Sequence, residues 1–172
     1  MNRSAAAAGS AVFFVAAPGV VAGVLPWWLT RWEMRTTPPY WMPLRVLGAA
    51  LAAVGGAALI LAFARFVREG AGTPAPVAPT ERLVIGGVYR YVRNPMYLAV
   101  LAVIIGQALI LWQLDLLLYG AVVAAAFVAF VRGYEEPVLA GRYGAQYEAY
   151  RRAVPGWWPR LRPWKPGEAG QA

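Results

Sequence analysis

Four long apolar runs order the chain. They cover residues 5–29 ("AAAAGSAVFFVAAPGVVAGVLPWWL"), 44–66 ("LRVLGAALAAVGGAALILAFARF"), 96–112 and 114–131. The apolar positions are continuous, without the alternation of a half-buried strand, and each run reaches the ~17 residues a helix needs to cross hydrocarbon. The first run outlasts the roughly 7–15 residue core of a signal peptide. It is preceded only by Arg3 and ends on Trp27 and Trp28, which suit a membrane interface. The last two runs are joined by Gln113, Leu114 and Asp115 alone, which predicts a tight turn between antiparallel helices.

The polar segments divide the rest. "RWEMRTTPPYWMP" (31–43) reads as a short re-entrant or interfacial piece, and "REGAGTPAPVAPTE" (68–81) as a flexible connector. "RLVIGGVYRYVRNP" (82–95) is richer, with aromatics and cations around Gly86 and Gly87. In the tail, Leu139, Tyr143, Tyr147 and Tyr150 fall at helical spacing beside Arg142, Glu148, Arg151 and Arg152, which predicts an amphipathic helix along the interface. "PGWWPRLRPW" adds tryptophans at head-group depth. Gly19 with Gly23, and Gly48, Ala52 and Gly56, are spaced for close helix packing in lipid and permit a homo-oligomer. The expected fold is all-α integral membrane, with about four to five transmembrane helices and a C-terminal interfacial amphipathic helix. The expected division is 1–67 for two N-terminal helices, 68–81 for the connector and 82–172 for a functional core containing the hairpin 96–131.

Composition narrows the chemistry. Charged residues are only 14% of the chain, and the net charge is +8. In so apolar a chain, that charge suits anionic lipid head groups rather than nucleic acid. With no cysteine and no histidine, disulfides, thiolate nucleophiles, Cys/His metal sites and histidine acid–base catalysis are excluded, and no metal is expected. With four spans, most arginines fall on the side of the N-terminus, the 67–94 loop and the tail. The positive-inside rule then places both termini in the cytoplasm. The Ala/Gly/Arg-rich, Lys-poor make-up points to a bacterial inner membrane.

The hairpin has a geometric consequence. Two spans return the chain to its starting side, so "RNPMY" (93–97) and "YEEP" (134–137) should meet at one interface. Arg93, Asn94 and Tyr97 then face Glu135 and Glu136, and Pro95 suits the first position of the third helix. Two carboxylates at a membrane boundary bind a cationic group or pair with Arg93, Arg132 or Arg142.

"GGVYRYVRNPMYLAV", a hairpin, and then "GYEEPVLAGRYGAQYEAYRRAVPGWWPRL" together resemble the membrane methyltransferase superfamily. That superfamily includes isoprenylcysteine carboxyl methyltransferases and phospholipid N-methyltransferases. The resemblance covers about residues 82–161. It implies S-adenosylmethionine as cofactor, bound between the cytosolic ends of the hairpin and the tail, and a lipophilic acceptor arriving from the bilayer. Carried over residue by residue, it implies cofactor contacts at Gly87, Tyr89, Arg93, Asn94, Pro95, Tyr97, Glu135 and Glu136, with catalytic roles for Asn94, Tyr97 and Glu136; Arg142 is the candidate to hold a carboxylate acceptor during catalysis. The carboxylates suit the cofactor's ammonium group. Arg93 and the helix start suit its carboxylate, and Tyr89, Tyr91 or Tyr97 suit its sulfonium or adenine. The isoprenylcysteine branch usually has His where this chain has Asn94, and an amide cannot titrate. This departure leans toward the phospholipid amine branch and leaves the acceptor open. An NADPH-dependent relative of the sterol reductases and a non-enzymatic lipid-binding membrane protein are the competing readings.

Overall fold

The computed structural model describes residues 16–70 and 83–165, and all regular structure among them is helical. The helices are α1 (Ala16–Thr30), α2 (Met42–Gly70), α3 (Pro95–Leu111), α4 (Leu114–Phe130), α5 (Glu136–Tyr143) and α6 (Ala145–Ala153). Short 3-10 turns occupy Pro39–Trp41 and Gly87–Arg90. Two helices are long and apolar enough to cross a membrane, Pro39–Arg65 and Leu114–Tyr143. Ala16–Thr30 and Pro95–Leu111 are apolar but shorter. Residues 5–15 of the first apolar run lie outside the described residues. The expected connector is helical as far as Gly70, and 71–81 lie outside the described residues as well.

α3 is the most enclosed helix, burying Ala99, Val100, Ile104, Gly106, Ala108 and Leu111. α2 lies along it, and small side chains set how closely. A Cβ on Gly48 would stand 2.7 Å from the Gly106 carbonyl, and one on Gly55 would stand 2.9 Å from that of Ala99. The contact stripe therefore runs Gly48, Ala52, Gly55, and the expected Gly56 faces open space. At ~100° per residue, seven steps return to within about 20° of the start while eight overshoot by about 80°. Gly19 and Gly23 likewise approach nothing within 4 Å. The outer faces are apolar and uncovered, with Val54 66% and Leu118 70% exposed, as lipid-facing helices require.

The 31–43 segment is not a helix along its length. Arg31 and Trp32 are left-handed, the chain then runs without regular structure, and it wraps the α3–α4 turn. Arg35 N donates to Leu111 O, Gln113 Nε2 to Glu33 O and Trp41 Nε1 to Leu109 O. Trp112, left-handed at φ 57°, ends α3 with its ring edge-on to Trp41. This end of the bundle is thus tied off, and the other end holds the start of α3, the end of α4 and the tail.

Two helices widen into π turns, Val20–Val24 and Val131–Glu135, and each ends two residues before a proline, Pro26 and Pro137. A proline cannot donate to the carbonyl four residues back, and its ring crowds that carbonyl; widening the preceding turn relieves the conflict. In α1 the freed carbonyls are taken by side chains: Gln107 Nε2 donates to Ala22 O at 2.7 Å, and Tyr119 donates its hydroxyl to Val21 O at 2.7 Å. Buried polar groups in a dry environment are thereby satisfied.

The tail departs from expectation. Gly144, at φ 49°, breaks the single amphipathic helix into α5 and α6. Tyr147 and Tyr150 do not face lipid. They are buried with Val154 and Trp164, against Leu83 and Ile85.

Candidate functional site

The site begins where the chain returns to the bundle. Gly87 is left-handed, and a Cβ there would meet the Arg65 side chain at 2.8 Å, so glycine is favoured at this turn. The following turn buries Tyr89, whose carbonyl accepts the Tyr150 hydroxyl at 2.7 Å. Residues 90–94 then run beside the tail. Arg93 N donates to Pro155 O, Asn94 N to Gly156 O, Arg160 N to Tyr91 O and Trp164 N to Arg90 O.

Arg93 joins three elements. Its Nε donates to Val154 O at 2.9 Å, and its Nη1 donates to Glu136 Oε1 at 2.8 Å and to the Tyr147 hydroxyl at 3.0 Å. The two charged side chains are only 13% and 16% exposed. Burial pushes the Tyr147 and Tyr150 hydroxyls above the usual tyrosine range, against the opposing pull of the Arg93 charge. Both therefore stay protonated as donors or acceptors around the arginine.

The neighbouring carboxylate differs. Glu135 accepts the Tyr97 hydroxyl at 2.8 Å and forms no ion pair among the described residues. The Tyr97 ring lies between Phe127, at 4.7 Å between centroids, and Trp157 of the tail, at 6.3 Å. Asn94 is buried at the N-terminal end of α3, and its Nδ2 has no hydrogen-bond partner among the described residues. Pro95 opens the helix, where its missing N–H leaves nothing unpaired.

These groups surround one cavity of about 490 Å³, walled on its apolar side by Val21, Leu59 and Phe130. The volume lies within the roughly 300–1,000 Å³ of small-molecule sites. Tyr89, Arg93, Asn94, Pro95, Tyr97, Glu135, Glu136 and Arg142 all line it. Gly87 does not; it shapes the turn behind Tyr89. Tyr91 lines a separate groove between α2 and α3. Arg142 is exposed, with its guanidinium 5.9 Å from the Tyr143 ring centroid. The sequence gives Phe127 and Gly156 no role, sets Trp157 at head-group depth, and puts Tyr147 and Tyr150 on an interfacial helix. Their helical spacing was visible, but the partner that buries them is the returning tail, which no local pattern announces.

Chemically, the cavity offers a carboxylate without an ion-pair partner and an amide nitrogen without a hydrogen-bond partner among the described residues, a hydroxyl held on the carboxylate, and aromatic faces. Such a set accepts a cation at one point and donates to an anion at another. The residues come from α3, the α4–α5 junction and the tail, and α2 supports the first of these. A family model described as phospholipid methyltransferase matches residues 43–146, from the start of α2 into α6. That match reaches further back than the resemblance in the sequence, taking in α2 from its second residue, and stops short of Tyr147 and Tyr150, which line the cavity from the tail. No curated protein and no solved structure matches the chain. With more than half of its 172 residues matched, the chain belongs to the phospholipid methyltransferase family.

Proposed function

We propose that this chain is an integral-membrane methyltransferase that uses S-adenosylmethionine and acts on a lipophilic acceptor. A phospholipid amine is preferred to an isoprenylcysteine-like carboxylate. The observation that carries the reading is Glu135: a carboxylate on the cavity wall, held by the Tyr97 hydroxyl and with no ion-pair partner among the described residues. A cationic ligand supplies what is missing.

The residues fit the cofactor. Glu135 suits an ammonium group, and the unpaired Nδ2 of Asn94 beside the α3 N-terminus suits a carboxylate. Tyr97 and Tyr89 offer faces to a sulfonium or an adenine, and Trp157 stands behind the Tyr97 ring. Bound there, S-adenosylmethionine supplies an electrophilic methyl group. The protein's part is to orient the acceptor in line, exclude water and hold a proton. An amine acceptor releases a proton, and Glu135 can take it, directly or through the Tyr97 hydroxyl, which passes its own proton to Glu135 as it receives the new one. Arg93 is committed to Glu136, Tyr147 and Val154, so we assign it to holding the wall. This leaves the deep cavity with net negative charge, which favours an amine over a carboxylate. Arg142, at the rim, suits a lipid phosphate. The arginines on this end support a cytoplasmic orientation for it.

The test is transfer of a labelled methyl group from S-adenosylmethionine into a membrane lipid extract by the purified protein. Thermal stabilisation by NADPH with none by S-adenosylmethionine would overturn the reading in favour of a reductase.

A further inference from the structure

The tail segment 157–165 has features that the cavity does not use. Trp158 is 81% exposed and Leu161 99%. Arg162 beside them is exposed too. After Glu148 the tail carries Arg151, Arg152, Arg160, Arg162 and Lys165 with no acidic residue before the end of the described chain. Its height relative to the membrane follows from its partners. Arg160 N is bonded to Tyr91 O and Trp164 N to Arg90 O, while α3 enters the apolar layer at Pro95. Residues bonded to the segment just before that entry lie at head-group depth. Two apolar side chains projecting among cations at that depth match an anionic lipid surface, because the cations meet phosphates and the side chains reach the acyl boundary.

The same segment braces residues that line the site. Val154, Pro155 and Gly156 accept from Arg93 and Asn94, and Trp157 stands beside Tyr97. We propose that Trp158, Leu161 and Arg162 dock on anionic lipid head groups, and that this docking holds the 154–157 segment against Arg93 and Asn94, two of the residues that line the cavity. Bilayer charge thereby regulates the cavity. The docking is independent of the catalytic reading; only its regulatory consequence rests on that reading.

The chain has no cysteine, so Leu161→Cys gives a single labelling position at the wedge, and Tyr40→Cys gives one at the opposite end. The labelled full chain is placed in nanodiscs of phosphatidylcholine, or of phosphatidylcholine with phosphatidylglycerol, each containing brominated acyl chains. Quenching at position 161 is expected to deepen with phosphatidylglycerol and that at position 40 to stay unchanged. Arg162→Gln should weaken the anionic preference about fivefold, the effect of removing one cation near the surface. Amide exchange over 90–94 should slow in the anionic discs by a similar factor, and Trp158→Ser with Leu161→Ser should abolish the slowing. Equal quenching in both discs overturns the docking. Deeper quenching with unchanged exchange overturns the regulation. Neither measurement needs methyl transfer, so failure of the functional reading would be seen separately, as absent cofactor binding in both discs.

Discussion

Tyr97 donates its hydroxyl to Glu135 Oε2 at 2.8 Å, a bond that closes 38 positions of sequence. The tyrosine stands on the first turn of α3 and the glutamate at the end of a π turn, so the bond reports whether both ends of the hairpin are in place. Glu135→Gln keeps the shape and removes the charge. Hydrogen bonds to charged groups contribute roughly 1.5–3 kcal/mol, so S-adenosylmethionine should bind about ten- to hundredfold more weakly by calorimetric titration. Tyr97→Phe should leave binding nearer the parent value and lower methyl transfer. Unchanged affinity in Glu135→Gln would show that the cation is held elsewhere.

Arg93 and Glu136 make a pair of the opposite kind, closed and mostly buried. Removing one partner strands the other charge, a loss of about 3–5 kcal/mol. Arg93→Leu should therefore lower the melting temperature in detergent sharply. Arg93→Leu with Glu136→Leu should recover much of the loss, because no lone charge remains. A double variant no more stable than the single one would mean that the arginine's bonds to Val154 and Tyr147 dominate.

This contrast shows what was readable in the sequence. Hairpin arithmetic alone brings residues 93–97 to 134–137, because span length and turn length are local properties. The split of duties between Glu135 and Glu136 is not local. It depends on which carboxylate faces Arg93, and a π turn sets that. The break at Gly144 was hidden for a related reason: tyrosines at helical spacing read as one amphipathic face until the tail is seen to return and cover them. Likewise, the small-residue stripe was correct in kind at Gly48 and Ala52. It was displaced at Gly56 because its partner, Gly106, lies on another helix.

Gly106 gives a packing prediction. A Cβ there would stand 2.6 Å from the Gly48 carbonyl, and neither backbone can yield cheaply. Gly106→Val should destabilise by about 1–3 kcal/mol or more, seen as a lower melting temperature in detergent. Gly56→Ala meets nothing within 4 Å and should be neutral or slightly stabilising, since alanine favours helix. Equal effects of the two would contradict the α2–α3 register.

Tyr150 predicts an alkaline limit. Its hydroxyl is buried, donates to Tyr89 O and titrates above the ~10 of a free tyrosine. The folded state therefore holds this proton more tightly than the unfolded state. Its contribution is complete below about pH 10 and is lost as pH rises further, when the unfolded chain gives up the proton first. Tyr150→Phe should lower stability near neutrality by about 0.5–1.5 kcal/mol for the lost bond. It should also flatten the decline above pH 10, as measured by melting temperature against pH.

Pro137 should be what turns the two carboxylates to their separate partners. It cannot donate to the Gly133 carbonyl, and the helix widens immediately before it, with Glu136 N bonded to Val131 O five residues back. Pro137→Ala restores a donor and removes the ring, so the turn is expected to tighten to an ordinary α-helix. Closing a π turn rotates the residues beyond it by about 100°, one residue's worth. Glu135 and Glu136 cannot then both keep Tyr97 and Arg93. The helix itself should gain, by as much as the ~3 kcal/mol that separates alanine from proline in a helix interior. The expected outcome is a variant at least as helical by circular dichroism, with methyl transfer lowered tenfold or more. Parent activity in Pro137→Ala would mean that the turn is held open by the Arg93 and Tyr97 contacts and does not need the proline.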